Sequence, residues 1–113
     1  MGEDNLQKYL PLTEATYYIL TALDEPLHGY AVMQRVEQVS LGTVKLGPGT
    51  LYGAFGTLEK EKLIRMTAED ERRKSYTLTE KGRRLLALQV ERLEIMLSNG
   101  RRFRPADRAE LEG

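Results

Sequence analysis

The sequence predicts a single, mainly helical domain that contains one small β-hairpin. Apolar residues recur at helical spacing in segments near positions 14–23, 29–39, 48–61 and 80–98. Between positions 64 and 78, apolar and polar residues alternate instead, which is the pattern of β-strands. The chain has 113 residues, fewer than the roughly 150 residues of an average domain, so one domain is expected.

The composition excludes several classes of protein. With 41% apolar and 30% charged residues, the chain is too apolar for a disordered protein and too mixed for a low-complexity one. It has no cysteine, which excludes disulfides, zinc–thiolate sites and thiol nucleophiles. A membrane span needs about 20 apolar residues, and the apolar runs of this chain are far shorter. Its first residues also lack the features of a secretory signal. We therefore expect a cytoplasmic protein without a membrane partner.

The first predicted helix follows an N-terminal arm, residues 1–11, that we expect to be loosely held. Thr13 suits the N-cap position, because its hydroxyl can accept from an amide of the first turn. Pro26 requires the helix to have ended, since the residue before a proline avoids the helical conformation. The second helix begins near His28, and its apolar residues keep helical spacing as far as Val39.

The region between the second and third helices is predicted to hold a short strand, because residues 43–46 (TVKL) are β-like. A Gly-Pro-Gly turn follows, and its proline suits the first position of a helix that runs to about Glu61. That third helix has an apolar inner face, consisting of Leu51, Ala54, Phe55 and Leu58. Its outer face is polar or small and consists of Thr50, Gly53, Thr57 and Lys60.

A β-hairpin with a charged tip is predicted next. Residues 64–68 and 75–78 each alternate between apolar and polar side chains, and a polar connection, residues 69–73, joins them. A long helix follows from about position 80 to 98, with Thr79 at its cap and an Asn-Gly pair at its end. Residues 101–113 are predicted to form a flexible tail.

The last helix has more apolar surface than one packing partner requires. We expect one face to pack on its own domain and another on a second copy of the chain. Spacings of 4, 3 and 4 are typical of a coiled-coil seam, and the residues at these spacings are Leu86, Val90, Leu93 and Leu97. The alternative is a helix that its own core covers completely.

Three helices followed by a hairpin form a winged helix-turn-helix, which we assign to residues 12–79, with a dimerisation helix at 80–100. Such a fold holds its third helix outward, where it can enter the major groove of DNA. The charges agree with this role. Residues 1–30 hold five acids and one base, a net charge of −4, whereas residues 60–84 hold nine bases and five acids, a net charge of +4. The alternative is that the basic segment is only a solvated surface.

Four sequence segments resemble the PadR family of bacterial transcriptional regulators. They are LHGY at 27–30, LGPGTLY at 46–52, LEKEKLI at 58–64 and RRKSYTLTEKGR at 72–83. The resemblance covers about residues 10–98, and the single C-terminal helix is similar to the smaller PadR subfamily. Two residues depart from the family pattern. Gly53 stands where the family usually has proline, and Lys62 stands where glycine usually ends the helix, so that either Lys62 takes a left-handed cap or the helix ends differently.

The resemblance implies a homodimeric DNA-binding regulator, expected to be a repressor, that reads a pseudo-palindromic operator and is released by a small aromatic or lipophilic effector. The residues do not identify an effector pocket. The resemblance also implies that Tyr52 contacts a phosphate, while the alternative for Tyr52 and Tyr30 is a half-buried core position. Strand alternation places Arg72 and Lys74 on one side of the wing and Arg73 on the other, and their alternative role is to neutralise the adjacent acids. The candidate DNA contacts are Tyr30, Lys45, Gly49, Thr50, Tyr52, Gly53, Thr57, Lys60, Arg72, Arg73 and Lys74.

The same sequence leaves two other functions to consider, a protein-binding module and an enzyme. A winged-helix module that binds protein instead of DNA has the same pattern of elements. An enzyme is disfavoured, because the only histidine, His28, lies at a helix start without a metal-ligand spacing, a carboxylate pair or a phosphate loop. A histidine at that position is expected to be structural. The sequence thus predicts no catalytic residue, no cofactor and no metal.

Overall fold

A computed structural model describes residues 5–70 and 73–103 of the chain. It confirms a mainly helical domain with a small antiparallel sheet and a long C-terminal helix. Short 3₁₀ helices lie at Leu6–Tyr9 and Arg101–Phe103. The remaining elements, in chain order, are α1 (Glu14–Ala22), β1 (Leu27–His28), α2 (Gly29–Val39), α3 (Pro48–Lys60), β2 (Ile64–Asp70), β3 (Arg73–Leu78) and α4 (Glu80–Gly100).

Side chains at the predicted caps fix where the helices begin. The Thr13 hydroxyl accepts from the Thr16 amide at 3.1 Å, as expected for the start of α1. The Thr79 hydroxyl accepts from an amide of the first turn of α4 in the same way. Helix α2 uses His28, whose Nδ1 accepts from the Ala31 amide at 3.4 Å. These bonds satisfy amides that have no partner within their own helices.

The sheet contains a strand that the sequence analysis missed. Strand β1 has only two residues and pairs with β3, so that the strand order is β1-β3-β2. The strand predicted at residues 43–46 is wrong, since this segment is an irregular connection. The Val44 amide donates to the Ser40 hydroxyl at 3.0 Å. A side chain therefore satisfies this amide, which in a strand would donate to a neighbouring strand.

The hairpin is present, and its predicted alternation is confirmed at Ile64, Tyr76 and Leu78, which are buried, but is wrong at Met66 and Thr77. A bulge lies between Met66 and Ala68, and Met66 is exposed rather than directed into the core. Thr77, expected on the polar face, is buried and its hydroxyl donates to the Leu23 carbonyl at 3.1 Å. The end of β3 is therefore covered on both faces, by the chain after α1 as well as by the helical core.

The core lies behind α3 and directs the other face of that helix outward. The predicted inner face of α3 is confirmed, since Leu51, Phe55 and Leu58 are buried and Ala54 is half-buried. The largest fully buried side chains come from the four α-helices, the start of β2 and the connections between elements: Ile19, Leu20, Leu23, Val32, Val36, Leu51, Leu63, Ile64 and Leu85. Burial of each such aliphatic side chain contributes about 1.5–3 kcal/mol to stability.

The segment before α1 is not loosely held between residues 6 and 9. Leu6 is buried, and the Tyr9 hydroxyl donates to Oε1 of Glu61 at 2.7 Å. Lys81 Nζ donates to the Tyr9 hydroxyl at 3.1 Å and to the Glu61 carbonyl at 2.9 Å. The prediction of a loose arm was wrong here because it rested on local pattern, whereas these partners lie 52 and 72 residues along the chain.

The chain leaves α3 through a left-handed residue. Lys62, which follows the cap residue Glu61, has a φ of 63°, so the first of the two alternatives for that position is confirmed. Helix α4 includes the Asn-Gly pair that was predicted to close it, since Asn99 and Gly100 are its last two residues and the Asn99 amide side chain donates to the Ile95 carbonyl at 2.9 Å. Residues 101–103 continue as a 3₁₀ turn, and the rest of the predicted tail lies outside the described residues.

Candidate nucleic-acid interface

The outer face of α3 is free of contacts with the core. Thr50, Gly53, Thr57 and Lys60 are all exposed, as helical spacing predicts. Gly49 and Lys45, at the start of the helix and in the loop before it, are exposed as well. The polar groups of one helix are therefore available along its length to an external partner.

A cleft of about 340 Å³ separates this helix from the wing, the β2–β3 hairpin. The start of α2 forms one wall and β3 forms another. Its lining combines aromatic rings with basic groups: His28, Gly29, Tyr30, Tyr52, Phe55, Gly56, Arg73, Lys74 and Tyr76. Both Arg73 and Lys74 line the cleft, although alternation along a strand predicts that they point to opposite sides. Arg72 lies outside the described residues.

Tyr52 is held in the cleft by a close approach to Gly29. A Cβ on Gly29 would lie 2.7 Å from Cζ of Tyr52 and would overlap its hydroxyl, so only glycine leaves room for the ring. The ring also meets Phe55 edge to face, at 5.9 Å between centroids. Tyr52 is 55% exposed and Tyr30 is 59% exposed, so the alternative of half-buried core tyrosines is wrong for both.

The basic side chains of Arg73 and Lys74 in the wing form no ion pair with another described residue. In the hairpin register Glu69 lies opposite Lys74, and Asp70 lies opposite Arg73. Neither pair of side chains comes within 4.0 Å, and the ion pairs between described residues are Arg35 with Glu25 and Arg83 with Asp24. The acids lower the local net charge, but they leave the basic groups of Arg73 and Lys74 available.

Two groups near the site have shifted pKa values. The hydrogen bond from Tyr9 lowers the pKa of Glu61, and the charges of Lys8, Lys81 and Lys60 add to this effect. Glu61 therefore stays ionised next to the last turn of α3. Burial raises the pKa of Tyr76, and the charges of Glu59 and Glu69 act in the same direction, so the floor of the cleft keeps a neutral hydroxyl.

The last three turns of α4 carry an uncovered apolar stripe. Leu86 packs partly against the core, but Val90, Leu93 and Leu97 are 39%, 38% and 51% exposed. The alternative of a helix covered completely by its own core is therefore wrong for one protomer. A groove of about 320 Å³ lies beside the stripe, between the end of α1 and α4.

Comparison with known proteins agrees with this architecture. A family model described as the transcriptional regulator PadR-like family matches residues 18–88, which is more than half of the chain. The chain belongs to the PadR-like family of transcriptional regulators. The match begins within α1 and ends within α4, so it includes α3, the wing and the cleft between them. This is a family of regulators and not of enzymes.

Individual relatives show how far the likeness extends. This PadR-like chain is 42% identical over 94 residues to an uncharacterised 37.1 kDa protein in transposon TN4556 of Streptomyces fradiae. The matched region covers 82% of this chain and 26% of that protein. It is 27% identical over 96 residues to the transcriptional regulator YqjI of Escherichia coli (strain K12), covering 84% of the chain and 46% of YqjI. The chain thus spans less than half the length of these relatives.

A solved transcriptional regulator from Clostridium thermocellum has the same fold. Its TM-score is 0.69 at 24% identity, and the superposition covers 91% of this PadR-like chain and all of the other. Across the described residues there is no helix long and apolar enough to cross a membrane.

Sequence reasoning missed part of the site. It treated His28 as a structural cap only, although the ring also faces Arg73 across the cleft, with 3.4 Å between Nε2 and Nη1. It also missed Tyr76 and Phe55 as the aromatic floor. The missing information was the pairing of β1 with β3, which places His28 directly opposite Ser75, two residues from Arg73.

Proposed function

We propose that this PadR-like chain is a homodimeric DNA-binding repressor that recognises a pseudo-palindromic operator. The observation that carries the proposal is the exposed polar face of α3 beside a cleft lined by tyrosines and by two basic residues that make no ion pair with another described residue. A helix of this kind suits the major groove, where side chains distinguish base pairs by their donors and acceptors. The wing and the cleft suit the adjacent sugar–phosphate backbone.

The proposed contacts divide into two groups. Thr50, Thr57 and Lys60 project from α3 and are assigned to base edges or to the phosphates that flank the groove, with Gly53 allowing close approach. The second group is assigned to the backbone, because it combines hydroxyls, cations and amides at helix starts; it comprises Tyr30, Lys45, Gly49, Tyr52, Arg73 and Lys74, together with Arg72 from the sequence.

The dimer is required because one recognition helix contacts only a few base pairs. Two copies related by a two-fold axis would place their α3 helices in half-sites about one helical turn apart, or a multiple of it. The apolar stripe formed by Leu86, Val90, Leu93 and Leu97 is the proposed contact between copies, since exposed apolar stripes of this kind are typical of helix pairing. A small aromatic or lipophilic effector would act where α4 meets the partner, beside the apolar groove at α1 and α4.

Salt dependence provides the direct test. A duplex selected by the protein from a random-sequence library should bind with an affinity that falls steeply with salt, because each phosphate contact releases counterions. For about 6–10 phosphate contacts per dimer, affinity is expected to fall by about 10³–10⁵ between 50 and 200 mM salt. Fluorescence anisotropy across this range measures the slope. A flat slope, or no duplex enriched at low salt, would contradict DNA binding and favour the alternative of a protein-binding module.

The role of Tyr52 can be tested without altering the tyrosine. Gly29→Ala places a methyl group where the Tyr52 ring lies and should displace its hydroxyl from the start of α2. Affinity for the selected duplex is expected to fall about tenfold, the size of one hydrogen bond to a charged group. The melting temperature should change little, since the end of a flexible side chain moves rather than the backbone. Gly100→Ala is the matched control, because its Cβ meets nothing within 4 Å, and unchanged affinity in Gly29→Ala would exclude Tyr52 from the interface.

A further inference from the structure

Two hydrogen-bond donors face each other across the cleft. The Nη1 atom of Arg73 lies 3.4 Å from Nε2 of His28, and the guanidinium can only donate. The other ring nitrogen of His28, Nδ1, accepts from the Ala31 amide at the start of α2. An imidazole that accepts through Nδ1 carries its hydrogen on Nε2, so Nε2 is also a donor.

Arg73 is exposed and His28 is half-buried, so an acceptor that enters the cleft can reach both donors. Within the described residues, no carboxylate lies within 4.0 Å of Arg73, and Asp70, opposite Arg73 in the hairpin register, makes no ion pair with it. Both residues line the cleft, whose lining also includes Tyr30, Tyr52 and the basic residue Lys74. The chemistry that satisfies this arrangement is an oxyanion with several acceptor oxygens.

We propose that His28 is itself a ligand of the DNA backbone, and that its Nε2–H and the Arg73 guanidinium hold the same phosphate. The inference rests on the proposed function and assigns to His28 a role beyond its helix cap. Its consequence is geometric. One phosphate would connect the start of α2 to β3, so the wing would be fixed against the helical core when DNA is bound.

The variant His28→Asn separates the two roles of this residue. Asparagine is a good N-cap and can accept from the Ala31 amide, but it is too short to donate at the position of Nε2. Folding should therefore be retained, while affinity for the selected duplex falls about tenfold. His28→Gln restores an amide donor at longer reach and is expected to recover part of the loss. A purely structural role predicts the opposite order, because asparagine is the better cap.

A double-mutant cycle shows whether the two residues share a phosphate. Arg73→Gln should weaken binding and reduce the salt slope by about one. If His28 and Arg73 hold one phosphate, the combined variant loses clearly less than the product of the two single losses. Lys60→Gln is the matched control, since Lys60 projects from the other end of α3 and its loss should multiply with that of His28→Asn.

Chemically modified DNA tests the same point with the wild-type protein. In duplexes that each carry one neutral methylphosphonate, substitution at the shared phosphate should weaken wild-type binding and have little further effect on Arg73→Gln or His28→Asn. The inference is overturned if His28→Asn binds as tightly as wild type while Lys60→Gln does not, and DNA binding then still stands. If wild-type protein binds no duplex at low salt, the proposed function fails and this inference fails with it.

Discussion

Leu93→Asp is expected to convert the protein from a dimer to a monomer and to abolish operator binding. Leu93 lies in the middle of the apolar stripe on α4 and is partly exposed in one protomer. Removing a buried leucine from an interface costs about 1.5–3 kcal/mol, and in a two-fold dimer the change occurs twice. The dimer should therefore weaken by about 10²–10⁴-fold, since each 1.4 kcal/mol is a factor of about ten. Analytical ultracentrifugation measures the dissociation constant, and anisotropy measures the loss of binding.

The control for this variant lies on the same helix. Ile95 is also an exposed apolar residue, but two residues along an α-helix rotate the side chain by about 200°, so Ile95 lies roughly opposite the stripe. Ile95→Asp introduces the same charge on α4 and should leave both the dimer and DNA binding intact. A Leu93→Asp protein that remains a dimer and binds DNA would show that the copies meet elsewhere.

The same geometry explains why loss of the dimer should remove DNA binding. Each protomer offers one α3 helix and one cleft, and α4 follows directly after the wing with only Thr79 between them. Each α4 is thereby fixed close to its own wing. The spacing of the two α3 helices would then follow from how the two α4 helices pack, so the dimer contact would determine which half-site spacing fits.

Much of the candidate nucleic-acid interface could be predicted, because the faces of α3 depend on the spacing of residues within one segment. The inner and outer faces of α3 follow from 3.6-residue spacing, and Phe55 and Thr57 illustrate the outcome, the first buried and the second exposed. Helix starts were equally local, since Thr13 and Thr79 lie next to the amides that they cap. The left-handed conformation of Lys62 could be considered in advance because glycine usually occupies that position in the family.

The missed features depend on contacts between distant segments. Strand β1 has two residues and no alternation of its own, and it is a strand only because β3 passes beside it. The hydrogen bonds that connect Tyr9 to Glu61 and Lys81 leave no local pattern either. The same limit applies to the contact between His28 and Arg73, which are 45 residues apart in the chain. Local sequence pattern predicts the buried faces and the ends of helices, whereas contacts between distant segments are known only from the folded chain.

Gly82→Ala is expected to destabilise the protein, although helix propensity alone predicts a gain. Gly82 lies in the first turn of α4, where a Cβ would come within 2.8 Å of the Leu78 side chain and would overlap the carbonyl oxygen of Leu63. That carbonyl cannot easily move, because it accepts from the Thr79 amide at 3.1 Å. Overpacking costs up to about 3 kcal/mol. The propensity gain of about 1 kcal/mol offsets only part of it, leaving a net loss of about 2 kcal/mol.

The loss should lower the melting temperature by about 10 °C, because 1 kcal/mol corresponds to about 4–8 °C in a domain of this size. Calorimetry at one fixed protein concentration measures it, since the proposed dimer would make the melting temperature depend on concentration. Gly56→Ala is the matched control, because Gly56 lies inside α3 and its Cβ would meet nothing within 4 Å. That variant should gain about 1 kcal/mol, so the two glycine-to-alanine changes are expected to have opposite signs. Equal gains in both would show that α4 does not approach the Leu63 carbonyl as closely as the structure places it.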